Sequence, residues 1–102
     1  MKNQSTKRQA IEREYKKAKM ELYEETPYCF NCGIGSLLTC AHLVPRSRRR
    51  DLIACKDNLI VLCMDCHHQL DFGARTELTA WQDILKRIKG LDREYYELLK
   101  MK

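Results

Sequence analysis

From Ser5 to about Glu25 the chain has neither Gly nor Pro, is dense in Lys, Arg and Glu, and repeats apolar residues at Ile11, Tyr15, Ala18 and Leu22. This helical spacing predicts one long, narrowly amphipathic helix. Thr6 followed by Gln9 has the form of a capping box, which puts the start near Ser5 or Thr6, and Pro27 ends the helix. Two apolar, partly β-branched runs come next, Leu37 to Val44 and Leu59 to Leu62, and they read as the two short strands of one hairpin. Between them PRSRRRDLIACKD is too polar and irregular for a core element and reads as a functional loop. HHQLD predicts a short helix that stops at Gly73. Trp81, Ile84, Leu85 and Ile88 share one face of a helix from Thr79 to Lys89 capped by Gly90, and a last helix from Asp92 carries Tyr95, Leu98 and Leu99.

Few helices around one hairpin make an α+β fold in a single domain. An N-terminal helix occupies residues 1–26, a core 27–73 and C-terminal helices 74–102. At 102 residues, a hydrophobic core alone stabilises such a domain only modestly. The net charge of +5 favours a polyanionic partner without identifying one. No apolar run approaches the roughly 20 residues that span a bilayer, and the opening MKNQSTKRQ lacks the apolar core of a signal peptide. An intracellular, soluble protein is expected.

The cysteines change the picture most. Cys29/Cys32 and Cys63/Cys66 form two Cys-x-x-Cys pairs, and all three histidines, His42, His67 and His68, lie inside or beside that frame. Each pair aims two thiolates at one ion, so together they supply a closed tetrahedral zinc site. Six cysteines could instead form three disulfides. The paired spacing and the absence of a signal peptide favour structural zinc, with Cys40 and Cys55 as free buried thiols.

The string CAHLVPRSRRR, followed by DNLIVLCMDCHHQLD, resembles the HNH endonuclease family with its ββα-metal fold, of the type supported by two zinc knuckles. The resemblance covers Cys29 to Asp71, less than half of the chain. It implies His42 as general base, Asn58 as the residue that orients the loop between the strands, and His67 as a metal ligand. Asp71, one helical turn beyond His67, is a further ligand in some members. The metal at His67 and Asp71 could be magnesium, manganese, nickel or zinc. The chemistry suits these residue types, because phosphodiester hydrolysis needs a base for water and a cation for the charge developing on oxygen. Ala41 departs from the pattern, since many members place a metal-binding Asp, His or Glu before the base histidine. Water, substrate phosphate or an acid such as Asp51 would have to fill that position. Cys40 should share a strand face with His42.

Arg46, Arg48, Arg49 and Arg50 follow the base closely enough to suggest phosphate contacts. Lys7, Arg8, Arg13, Lys16, Lys17 and Lys19 make the first helix basic enough to lie along a nucleic-acid backbone, but its glutamates make a solvated face as good a reading. His68 is expected to be exposed or behind the ligands, and Tyr95 and Tyr96 to pack on the core. The expectation is a metal-dependent HNH endonuclease that nicks or cuts DNA, RNA not being excluded, with 5′-phosphate products implied by the resemblance. Such compact proteins resemble phage or mobile-element nucleases. The alternatives are a zinc-stabilised nucleic-acid-binding module without cleavage, motivated by Ala41, and a protein whose helical flanks dock a larger partner.

Overall fold

The computed structural model describes the backbone of residues 2–101 and the side chains of residues 7–101. Helix α1 runs over Lys2–Glu25. It begins before the expected Ser5 or Thr6, because Lys2 to Gln4 contain no residue that would break a helix, and Thr6 is therefore interior. Its side chain lies outside the described ones. At the other end Thr26 N and Thr26 Oγ1 both donate to Leu22 O, at 2.8 and 2.9 Å, and Pro27 stops propagation. The apolar stripe of α1 is narrow: Ala18 is buried, while Ile11, Tyr15 and Leu22 are half-buried.

Strands β1, Leu38–His42, and β2, Leu59–Cys63, pair antiparallel with Leu38 opposite Cys63 and His42 opposite Leu59. All five residues of β2 are buried. Its sequence LIVLC does not alternate with polar residues because both faces are covered, by α1 and by α2, the helix Met64–Phe72. Helix α2 ends where HHQLD predicts, at Gly73, whose N–H bonds Gln69 O at 3.0 Å. A Cβ there would come within 3.1 Å of Gln69 Cα, so the close approach favours glycine.

The connection between the strands differs from its expected character. Short 3-10 turns at Arg50–Leu52 and Lys56–Asn58 fold it so that Leu52 and Ile53 enter the core while most of the charged side chains around them face outward. Asn58 closes this loop: its Oδ1 accepts from Val44 N at 2.7 Å, and its Nδ2 donates to Val44 O and Leu52 O at 3.0 and 3.2 Å.

Helix α3, Trp81–Leu91, buries Trp81, Ile84 and Ile88 against the core. It runs past Gly90, the expected cap, and ends at Asp92. There the extended backbone of Asp92 and its carboxylate, which accepts from Tyr95 N at 3.1 Å, start α4, Arg93–Lys100. A side-chain cap for the next helix thus fixes the boundary in place of a glycine. Tyr95, Tyr96 and Leu99 pack against the core, whereas Leu98 is exposed. Among the described residues, no helix is long and apolar enough to cross a membrane.

Asn58→Ala is expected to lower unfolding free energy by about 2–4 kcal/mol, since it breaks three hydrogen bonds and leaves buried backbone groups unpaired. Urea denaturation measures this, and a change under about 0.5 kcal/mol would show that water replaces the amide.

Candidate active site and metal centre

Each Cys-x-x-Cys turn is built by its local backbone. In the first, Cys29 N bonds Ile34 O at 2.8 Å and Gly33 N returns to Cys29 O at 2.9 Å, with Gly33 at a φ of 80° that favours glycine. Phe30 N donates to Val61 O at 2.7 Å, which ties this turn to β2. The second pair spans a joint, because Cys63 is the last residue of β2 and Cys66 lies in the first turn of α2. The four Sγ atoms consequently lie within 4.8 Å of one another.

The fit to zinc follows from bond lengths. Zn–S bonds of about 2.3 Å place tetrahedral sulfurs about 3.8 Å apart, and Cys32 Sγ and Cys63 Sγ are separated by 3.7 Å. A disulfide needs about 2.05 Å, and all six cysteines are free. Burial raises the Cys29 pKa, but the backbone N–H groups of Cys32, Cys63 and Asn31 outweigh it and lower that thiol to about 6. Cys66 is pushed up to about 12, by burial first and then by its neighbouring sulfurs. Adjacent sulfurs that cannot all ionise alone suit a divalent cation. Asn31 Nδ2 donates to Cys66 Sγ at 3.3 Å while its Oδ1 accepts from Ala80 N at 2.8 Å, so one amide joins the cluster to the start of α3.

His42 ends β1 and is half-buried. Its Nε2 lies 3.0 Å from Ile53 O. A carbonyl only accepts, so Nε2 carries the proton and Nδ1 keeps the lone pair of the neutral ring. The ring stacks on Tyr15 of α1, with centroids 5.1 Å apart. Desolvation lowers the His42 pKa below 6.5, Arg46 and His67 lower it further, and the Ile53 bond and Asp71 oppose the shift. The shift favours the neutral form of the His42 ring.

The tautomer of His67 follows the same way. Thr39 Oγ1 donates its one proton to Leu62 O at 2.7 Å, so it accepts from His67 Nδ1–H, also at 2.7 Å. That leaves His67 Nε2 to face Asp71 Oδ2 at 3.2 Å, one turn along α2. Two donors at this spacing suit one ion, since adjacent ligands of an octahedral site with bonds of about 2.1 Å lie about 3.0 Å apart. His42, Cys40, Arg46, His67 and Asp71 line one cleft of about 520 Å³.

Residues 18–75, more than half of the 102-residue chain, match the family model described as HNH endonuclease. The chain belongs to the HNH endonuclease family. No curated protein and no solved structure matches it. Nuclease function in general and a nucleic-acid substrate follow from that membership.

Around this HNH core the remaining expected site residues are placed unevenly. Asn58 sits behind the cleft as the loop anchor. His68 is exposed and its ring lies 5.3 Å from that of Phe72. Ala41 is fully buried in the hydrophobic core. Asp51 is engaged by Arg49 in a two-pronged pair at 2.8 and 2.9 Å. Arg48 bonds the buried Asp92 at 2.9 Å and lies over the Tyr95 ring. Arg49 also reaches Asp92 at 3.5 Å. Arg46 pairs with Glu12 and covers the Tyr15 ring at 5.2 Å. Cys40 and Cys55 are free and half-buried.

Sequence reasoning missed Thr39, Tyr15, Asn31 and the Ile53 carbonyl. Tyr15 carried a signal, as a tyrosine on an otherwise aliphatic helix stripe, but Thr39 meets the His67 ring, and the Ile53 carbonyl the His42 ring, through contacts that only the fold supplies.

Purified protein is expected to contain about one zinc per chain, and Cys63→Ser to lose that metal together with its cooperative melting. Elemental mass spectrometry and circular dichroism check both; full stability in a zinc-free sample would exclude the four-thiolate site.

Proposed function

We propose that this chain is a metal-dependent endonuclease that hydrolyses DNA phosphodiester bonds, with His42 as general base and a divalent ion at His67 and Asp71. The observation that carries the reading is the pair of complementary tautomers in one cleft. His42 presents a lone pair at Nδ1, and His67 presents one at Nε2 beside a carboxylate.

His42 Nδ1 takes the proton of the attacking water, and its Nε2–H stays on Ile53 O, where the bond strengthens as the ring becomes cationic. When bound, the divalent ion supplies positive charge to the phosphate and the leaving oxygen. Thr39 keeps His67 in the tautomer that offers Nε2 to such an ion. Arg46 supplies charge at the rim of the same cleft. The four cysteines hold structural zinc and take no part in hydrolysis.

Plasmid nicking with magnesium, manganese, nickel and zinc tests this reading. His42→Ala is expected to slow cleavage by about 100-fold or more, and Thr39→Val to raise the metal concentration needed by about 10-fold or more. Cleavage undiminished in His42→Ala, or none with any metal, rejects the mechanism; binding without cleavage supports the binding-module alternative.

A pH profile of kcat at saturating metal provides a separate check. Because the His42 pKa is lowered, the base stays unprotonated further into acid, so the rate is expected to fall with a midpoint below pH 6.5. A midpoint well above 6.5 would identify another group as the base.

A further inference from the structure

A second cleft, of about 540 Å³, opens between α1 and the loop that follows β1. Lys7, Arg8 and Glu12 line one wall, and Arg46, Arg50 and Ile53 the other. We propose that this cleft binds the phosphodiester backbone of nucleic acid beside the scissile phosphate, which makes α1 a substrate-positioning arm. The proposal rests on the nuclease reading but goes beyond it, because Lys7 and Arg8 lie outside the family match at residues 18–75.

Charge and continuity carry the inference. Four cations and one carboxylate face one concavity, and none of the ion pairs among the described residues involves Lys7, Arg8 or Arg50. Arg48 and Arg49, by contrast, are committed to Asp92 and Asp51. Like charges gathered on two facing walls repel, and an entering polyanion relieves that repulsion while releasing counterions. Arg46 and Ser47 line both this cleft and the one that holds His42 and His67. Ile53, whose carbonyl orients His42, forms part of the wall between them. A strand with one phosphate before His42 can therefore continue past Arg46 towards Lys7 and Arg8. The cations come from two separate elements, which suits a polymer better than a single small anion. Glu12 pairs with Arg46 in the free protein and competes with phosphate for it.

Fluorescence anisotropy with a short duplex DNA, measured in a His42→Ala background without divalent ions, tests the proposal. Lys7→Ala combined with Arg8→Ala is expected to weaken binding about tenfold and to reduce the slope of log affinity against log salt by about 2. Arg13→Ala with Lys17→Ala makes the same charge change on the opposite side of α1 and is expected to alter affinity by less than about twofold. Glu12→Gln is expected to tighten binding by freeing Arg46. All these positions are exposed and alanine is the strongest helix former, so the variants keep the fold. Equal losses in the two double variants, no loss in the first, or no duplex binding by the parent overturns the cleft assignment. Nicking by the wild-type chain with unchanged affinity in Lys7→Ala/Arg8→Ala rejects the cleft alone. Cleft-dependent binding with no nicking under any metal supports the cleft and rejects the cleavage mechanism.

Discussion

The gathering of four sulfurs into one cluster is the constraint on which the rest of the structure depends. A two-stranded hairpin is not stable by itself in water, and β1 and β2 pair over only five residues each. The cluster joins the segment after α1, the end of β2 and the first turn of α2, three pieces that local hydrogen bonding alone would leave free to shift. His67 directly follows Cys66. Whatever fixes that sulfur also fixes the histidine, and Thr39 on the neighbouring strand then sets which of its nitrogens faces the cleft.

A second constraint works from the opposite end of the hairpin. Asn58, fully buried, grips both sides of the loop, holding Val44 by its N–H and its carbonyl and Leu52 by its carbonyl. The next carbonyl, that of Ile53, orients His42. A buried amide with three hydrogen bonds therefore controls the direction of a histidine it does not touch. The side chain needs both a donor and an acceptor in this position, which explains why an amide stands there and not an acid.

What the sequence made legible follows the range of the interaction. The cysteine pairs, the two strands and Gly73 are local patterns, and each reads correctly as an element or a cluster of ligand-type side chains, while His67 and Asp71, one helical turn apart in the sequence, lie 3.2 Å from each other. Gly90 misleads because the end of α3 is set by Asp92, which caps the following helix and is itself held by Arg48. Leu52 and Ile53 escape notice as core residues because a polar stretch surrounds them and only the 3-10 turn directs them inward. The four arginines look alike in sequence, yet the fold divides them, since the carboxylate of Asp92 lies far along the chain from Arg48 and Arg49. No periodicity or motif encodes such a pairing.

Ala41 shows how the strand and the helix divide their tasks. It is fully buried among apolar side chains, so an acid at that position would bury a carboxylate at a cost of several kcal/mol unless a cation met it. With alanine there, β1 contributes packing through Ala41 and orientation through Thr39 and His42. Both ligand-type side chains come instead from a single turn of α2, where helix geometry sets their separation and Thr39 sets the ring that faces the acid. The cleft therefore keeps a defined edge of two donor-type side chains without a buried charge on the strand.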